Sequence, residues 1–212
     1  DHEGIYIRMS DVYRYKMLEV NINNRDMVNF KFESDKPYYL GLVIDRLKDV
    51  TKTLKSSDLL IMDYDSENYF ITAESNGLKR NIKLIDISLI GQPPELVMNQ
   101  DYQSTIESKK MLSFLKAISK SISFDVIVSE EQFIIRSETD EGLAEISWPS
   151  EDCSLNTILD KSTINFSTAE ITKALVACKN NLTIKGSHDS PISFEWDLAS
   201  NSKIKSLVAP RV

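Results

Sequence analysis

The sequence predicts an α+β protein made of two similar halves. Three observations lead there: many short runs rich in β-branched and aromatic residues, three segments with helical periodicity, and a recurrence of both kinds at a spacing of about 122–128 residues. The strand-like runs cover residues 4–9, 16–22, 59–64, 69–73, 81–87, 104–106, 125–128, 132–136, 144–148, 182–185, 192–198 and 203–208. They are bounded by Asn, Asp, Ser and Gly, whose side chains or missing Cβ favour turns. Helical spacing of apolar residues marks residues 43–56, 108–121 and 168–180. Ser167-Thr168-Ala169-Glu170 has the Ser-x-x-Glu form of a capping box, in which the two side chains satisfy free N–H groups of the first turn. Residues 90–102 (IGQPPELVMNQDY) show neither period, and Pro93-Pro94 bars a central strand because proline offers no N–H to a ladder. They read as a connector between a domain at residues 1–89 and a second at residues 103–212.

The repeat is visible residue by residue. Glu3-Gly4-Ile5-Tyr6-Ile7-Arg8 lines up with Glu131-Gln132-Phe133-Ile134-Ile135-Arg136, and Leu18-Glu19-Val20 with Ala144-Glu145-Ile146. The helix with Leu47 and Leu54, then Leu59-Leu60-Ile61, matches the helix with Ile171 and Cys178, then Leu182-Thr183-Ile184. A repeat this long implies pseudo-symmetric domains, since solenoid repeats run to roughly 20–50 residues. The second half has a strand, a helix and a strand ahead of Glu131; by this comparison the first half lacks that unit of roughly 25–30 residues, an incomplete start.

Composition narrows the chemistry. Two cysteines, Cys153 and Cys178, and two histidines, His2 and His188, are too few and too scattered for a zinc site or a disulfide framework. Six glycines, with no GxGxxG or GxxxxGK[ST], disfavour a nucleotide-binding enzyme, because those loops need glycine where the backbone approaches phosphate. HExxH, GxSxG and CxxC are absent too, and Glu130-Glu131 and Asp63/Asp65 read as solvated turn residues between apolar strands. No metal, no cofactor and no catalytic residue is expected. Apolar runs such as residues 59–62 fall far short of the 18 or more needed to span a bilayer, and no leader-like segment opens the chain, so neither a membrane nor secretion is expected.

The net charge is −7, from 25 Lys+Arg against 32 Asp+Glu, yet the lysines segregate. At about 100° per residue, Lys109, Lys116 and Lys120 lie within roughly 40° of one another on the second helix, opposite Met111, Phe114, Leu115 and Ile118. With Lys110 that helix has four positive charges and no acid. On the first helix Lys48, Lys52 and Lys55 align within roughly 60°, diluted by Asp45 and Asp49; the third contributes Lys173. Lysine stripes without interleaved aromatics suit non-specific contact with duplex phosphates better than stacking on single strands.

With these residues in view the chain resembles the sliding clamps of the proliferating cell nuclear antigen (PCNA) type, archaeal and eukaryotic. Leu207-Val208-Ala209-Pro210-Arg211-Val212 is similar to the family's closing L-A-P-[KR]-[IV]. Gly4-Ile5-Tyr6-Ile7-Arg8-Met9-Ser10-Asp11 is similar to its G-[IV]-x-[LV]-x-x-M-D, with the Met one place early. Asn81-Ile82-Lys83-Leu84-Ile85-Asp86 and Ile90-Gly91-Gln92-Pro93 resemble the strand entering the connector and the connector's L-G-x-P. The absent strand–helix–strand would be the clamp's first unit.

The resemblance implies the DNA-clamp fold: two similar domains, helices on the inner face, antiparallel sheets outside, three subunits closing a ring. It implies a processivity factor that encircles duplex DNA and tethers replication and repair enzymes, with no catalysis and no cofactor. A divergent or checkpoint-type subunit, acting as a protein-binding adaptor without replicative loading, is the alternative. Lys48, Lys52, Lys55, Lys109, Lys110, Lys116, Lys120 and Lys173 would then face DNA. Tyr15, Met17, Ile90, Pro191, Leu207, Ala209 and Pro210 would form the pocket for partner peptides. Arg14 stands where many members have His, and Leu207 where many have Tyr, departures that bear on partner preference. Residues 79–86 would pair with residues 142–148 of the neighbouring subunit. That interface would use Lys79, Arg80, Ile82, Lys83, Leu143, Glu145 and Ile146, with Lys79, Arg80 and Lys83 set against Asp140, Glu141 and Glu145. Implied partners are duplex DNA, other clamp subunits in a homo- or heterotrimer, and the clamp loader, DNA polymerase, flap nuclease and DNA ligase through PCNA-interacting peptides. Implied localisation is cytoplasmic and nucleoid-associated in an archaeon, nuclear in a eukaryote.

Overall fold

A computed structural model describes residues 1–52, 54, 55, 57–91, 93, 98–140 and 142–211. Thr53, Ser56, Glu141, Val212 and, within the connector, residues 92 and 94–97 lie outside the described residues. The chain forms two compact units: Asp1–Glu33 with Pro93–Val212, and Ser34–Gln92.

In the larger unit every strand pairing is antiparallel. One sheet has the order β1 (Gly4–Ser10), β2 (Lys16–Asn23), β14 (Lys203–Val208), β13 (Ile192–Asp197), β12 (Asn181–Gly186), β6 (Tyr102–Glu107), β10 (Asn156–Thr157). The other has the order β11 (Lys161–Ser167), β7 (Ser123–Ser129), β8 (Gln132–Thr139), β9 (Gly142–Pro149). Strand alternation explains the core: Phe124, Val126 and Val128 of β7 turn inward while Asp125, Ile127 and Ser129 do not. These residues join Phe133, Ile135, Phe166, Ile184, Phe194 and Ile204 in one buried cluster, closed by Met111 and Leu115 of α2 (Ser108–Ala117) and Ile171 of α3 (Thr168–Ala174). Each such side chain is worth about 1.5–3 kcal/mol in burial. Gly186 is demanded by packing, for a Cβ there would lie 2.5 Å from the Tyr102 hydroxyl.

The smaller unit holds α1 (Ile44–Thr51) and the sheet β3 (Ile61–Asp65), β4 (Phe70–Ser75), β5 (Leu78–Lys83). Its core is slight: Val50, Ala73 and Ile82, flanked by Leu42, Leu47 and Leu60.

The repeat reappears in the registers. Arg8 pairs with Glu19 across β1–β2 and Arg136 with Glu145 across β8–β9. The repeat assigns residues 4–23 to the first half, whereas contacts place them in the larger unit, because β2 pairs with β14.

Several elements differ from the sequence reading. All three helices stop early: α1 at Thr51, α2 at Ala117 and α3 at Ala174. Past α2 come Ile118, Ser119 and Ser121, β-branched or backbone-competing residues that hold a helix poorly, and Ser121 closes a turn onto the Ile118 carbonyl. Strand β5 starts three residues earlier than expected and ends four earlier, at Lys83, and Leu84 instead donates to the Tyr69 carbonyl. β11 gave no strand signal, because Ser162 takes an inward position where an apolar residue would have marked the period.

Candidate functional site

The helical lysines are mostly where the periodicity puts them. Lys109, Lys110 and Lys116 are exposed on α2 and have no ion pair among the described residues, while Met111, Phe114 and Leu115 are buried behind them. Lys120 is also exposed, but it lies beyond the helix end, as does Lys55 beyond α1; the expected 40° and 60° stripes therefore hold only for Lys109 with Lys116 and for Lys48 with the capping residue Lys52. Two lysines are engaged. Lys52 contacts Asp49 at 3.0 Å, a carboxyl that also faces Arg80 at 3.7 Å and is held below the ordinary range chiefly by the Lys52 hydrogen bond. Lys173 contacts Glu170 at 3.0 Å, and Glu170 also meets Lys16 of β2; these bonds, Lys16 first, lower the Glu170 carboxyl.

Six strands end their sheets among the described residues, β1, β10, β11 and β9 in the larger unit and β3 and β5 in the smaller; β5 and β9 are the two that the expected subunit contact uses. Unpaired N–H and C=O groups along such an edge invite another strand. Lys79, Arg80 and Lys83 project from β5 into solvent. Ile82, expected at a subunit contact, has its side chain buried against Val50 and Ala73, so only its backbone lies at the edge. On β9, Leu143 is 61% exposed, Ile146 is half-buried, and Glu145 accepts from Arg136 at 2.6 Å. Beside β9 lies an open depression of about 450 Å³ lined by Lys109, Lys110, Ser113, Phe114, Glu145 and Ile146. Two lysines assigned to DNA thus also rim the hollow next to the free strand.

The expected peptide pocket is only partly open. Met17 and Leu207 are opposed in register across β2–β14 and both are buried, which removes them from the accessible surface. Tyr15 is 60% exposed, whereas Pro191, Ala209 and Pro210 are half-buried. The Ala209 N–H donates to the Tyr15 carbonyl at 2.8 Å, carrying the β14–β2 pairing one step beyond the sheet. Ile90 is half-buried in the smaller unit, capping a short 3-10 turn.

The comparisons bear on what such a chain is. No family model matches it. The DNA polymerase sliding clamp of Pyrococcus furiosus is 27% identical over 219 residues, spanning 99% of this chain and 86% of its own. That of Thermoplasma acidophilum is 27% identical over 222 residues, spanning 100% and 87%. A structure of the C-terminal region of FEN-1 bound to A. fulgidus PCNA superposes with a TM-score of 0.90 at 18% identity, over 99% of this chain and 86% of that one. PCNA from Thermococcus kodakaraensis superposes at 0.86 and 18%, over 100% and 88%. Along its whole length the chain is similar to archaeal DNA polymerase sliding clamps, and its fold is that of PCNA.

Two features of this chain escaped sequence reasoning. The first is a line of charges across the larger sheet. Arg8 meets Glu19 at 3.0 Å, Lys205 reaches Glu19 at 3.9 Å and stands opposite Glu195, and Lys185 meets Glu195 at 2.8 Å. The aligned repeat contained its signal, since Arg8/Arg136 and Glu19/Glu145 coincide. The second is a Ser162–His188–Asp189 contact, with Ser162 Oγ 3.2 Å from Nδ1 and Asp189 Oδ2 3.3 Å from Nε2. Ser162 is buried within β11 while the histidine and aspartate stand in solvent, so a substrate has no approach to the hydroxyl. The contact fastens a turn to a strand. Among the described residues no group of three or more His, Cys, Asp or Glu could hold a metal ion.

Proposed function

We propose that this chain is a subunit of a ring that encircles duplex DNA and tethers replication and repair enzymes to it, without catalysis of its own. The observation that carries the reading is that two of the open edges, β5 and β9, are the repeat equivalents of strands that the chain already joins in its own seam. By the repeat β9 corresponds to β2, and β5, as third strand of its antiparallel run, corresponds to β14. Within the chain β14 and β2 pair antiparallel, Leu207 opposite Met17. Pairing β5 of one subunit with β9 of the next in the same sense repeats that seam, satisfies both edges and closes a ring. Lys79, Arg80 and Lys83 on β5 would then approach Asp140 and Glu145 around β9, and opposite charge across an interface favours correct docking.

Exposed lysines on α1 and α2 supply point charges for a duplex backbone without reading bases, as a tether that slides requires. Clamp loader, polymerase, flap nuclease and ligase would dock by short peptides near Tyr15, Ala209 and Pro210. Retention on nicked circular DNA tests the reading. The protein should stay with the circle through gel filtration and be released when a restriction enzyme linearises it. Equal retention on circle and line would mark an ordinary electrostatic binder and overturn the ring.

A further inference from the structure

The turn between β1 and β2 carries strain and apolar exposure that joining two strands does not require. Val12, Tyr13 and Tyr15 are 93%, 77% and 60% exposed. Arg14 sits at φ 59°, a left-handed conformation that penalises any residue with a Cβ and that Gly or Asn would occupy more easily. The loop is nonetheless fixed. The Arg14 N–H donates to the Asp11 carbonyl at 3.0 Å, the Asp11 N–H to the Lys16 carbonyl at 3.1 Å, and the Lys16 N–H to Asp11 Oδ1 at 2.8 Å. Tyr13 and Tyr15 lie with ring centroids 6.2 Å apart.

Beside this tip runs the segment that follows β14, with Ala209 bonded to Tyr15 and the Arg211 N–H donating to the Asn165 carbonyl at 2.9 Å. The charges there are unbalanced. The Lys16 side chain is taken up by Glu170, and the Asp11 carboxylate by the turn amide. Arg14 and Arg211 are exposed and have no ion pair among the described residues. The Tyr13 ring and these two guanidinium groups therefore flank Tyr15, Ala209 and Pro210 on a protein whose net charge is −7.

Resting on the peptide-docking reading above, we propose that Arg14, seconded by Arg211, makes this clamp select partner segments with an acidic residue beside their apolar anchor. Rigid aromatic surface supplies contact area at little entropic cost. A guanidinium supplies a planar fork that matches a carboxylate, which a histidine or lysine does not. An acidic segment is repelled by the net charge of −7 and finds the opposite sign at this tip.

Short peptides anchored by two phenylalanines and flanked by Asp-Glu, Ser-Gln or Lys-Arg, titrated against the full chain by fluorescence anisotropy, test the assignment. The acidic peptide should bind about tenfold tighter than the neutral one at low salt, and the gap should narrow as salt screens it. Arg14→Gly keeps the turn geometry while removing the charge; with Arg211→Ala it should bring the acidic peptide to the level of the neutral one. Equal affinity for all three flanks, or a preference that survives both substitutions, would overturn the proposal. Binding by none of the three peptides would instead overturn the docking reading and take this proposal with it.

Discussion

The two repeated hairpins, β1–β2 and β8–β9, have the same local code and opposite surroundings. Each carries an arginine on its first strand opposite a glutamate on its second, and each makes the cross-strand ion pair, Arg8–Glu19 at 3.0 Å and Arg136–Glu145 at 2.6 Å. In the first hairpin the second strand is enclosed, by β14, and the first strand ends its sheet. In the second hairpin the first strand is enclosed, by β7, and the second is free. Glu19 consequently has 17% of its side chain exposed and a second cation in Lys205, whereas Glu145 has 34% exposed and, among the described residues, pairs with Arg136 alone. Local sequence sets the pairing inside each hairpin; what lies beside it decides which strand is left to bind something else.

The largest test of this contrast lies in the core. Ile135 of β8 is fully buried, and its repeat equivalent Ile7 of β1 is only half-buried. Ile135→Ala removes contacts on all sides and should cost about 2–5 kcal/mol. Ile7→Ala should cost about 1 kcal/mol or less, because water already reaches that position. Urea unfolding followed by circular dichroism measures both, and comparable losses would mean that the two hairpins are equally enclosed.

Most strands were legible because their apolar residues alternate, and the capping box marks α3 correctly: Ser167 Oγ accepts from the Glu170 N–H at 3.4 Å. What stayed hidden depends on partners far along the chain. Pairing of β2 with β14 joins residues separated by most of the sequence, as Leu207 opposite Met17 shows, and no local pattern announces it. That pairing is also why Met17 and Leu207, legible as pocket residues by resemblance, are buried. β11 was invisible because its inward positions include Ser162, and the helix ends were misplaced because apolar spacing continued past residues unsuited to helix. The candidate edges were readable from charge on β5 and β9, but not that the Ile82 side chain turns into the core.

Charge reversal at the free edge comes next in size. The double variant Arg80→Glu, Lys83→Glu should weaken assembly by about tenfold or more, since like charges at a docking surface cost several kcal/mol at most and each 1.4 kcal/mol is a factor of ten. Light scattering over a concentration series should show mass moving toward the single subunit. An unchanged mass would remove β5 as the joining edge.

A matched pair of substitutions compares the hairpins directly. Glu19→Gln should cost about 1–2 kcal/mol in folding, since its carboxylate is largely shielded and shared by two cations. Glu145→Gln, on an exposed pair, should cost about 0–1 kcal/mol in folding and show itself in assembly instead. Equal folding costs would say that enclosure by β14 adds nothing to the Arg8–Glu19 pair.

The smallest expected effect concerns a clamp that ties the enclosed hairpin down after β2. Asp26 accepts from the Asn201 N–H at 2.8 Å, from Asn201 Nδ2 at 2.9 Å and from Ser202 Oγ at 2.6 Å, while the Asn23 N–H donates to Ser202 Oγ at 2.9 Å. These bonds favour the charged carboxylate, the Ser202 hydroxyl foremost, and hold Asp26 below its ordinary range. A carboxyl depressed on folding gives stability that is complete above its unfolded value of about 4 and fades as pH falls from there through the lower folded value. Asp26→Asn should therefore be less stable than the parent at pH 7, and its stability should fall less steeply below about pH 4. The two unfolding curves would draw together in acid, because the parent then loses what the variant never had. Hydrogen exchange of the β2 amides should follow the same course, faster in the variant at neutral pH and alike in acid. If the gap between the two proteins stayed constant across the acid range, the contact would owe nothing to the carboxylate charge, and the β2–β14 seam alone would hold this hairpin in place.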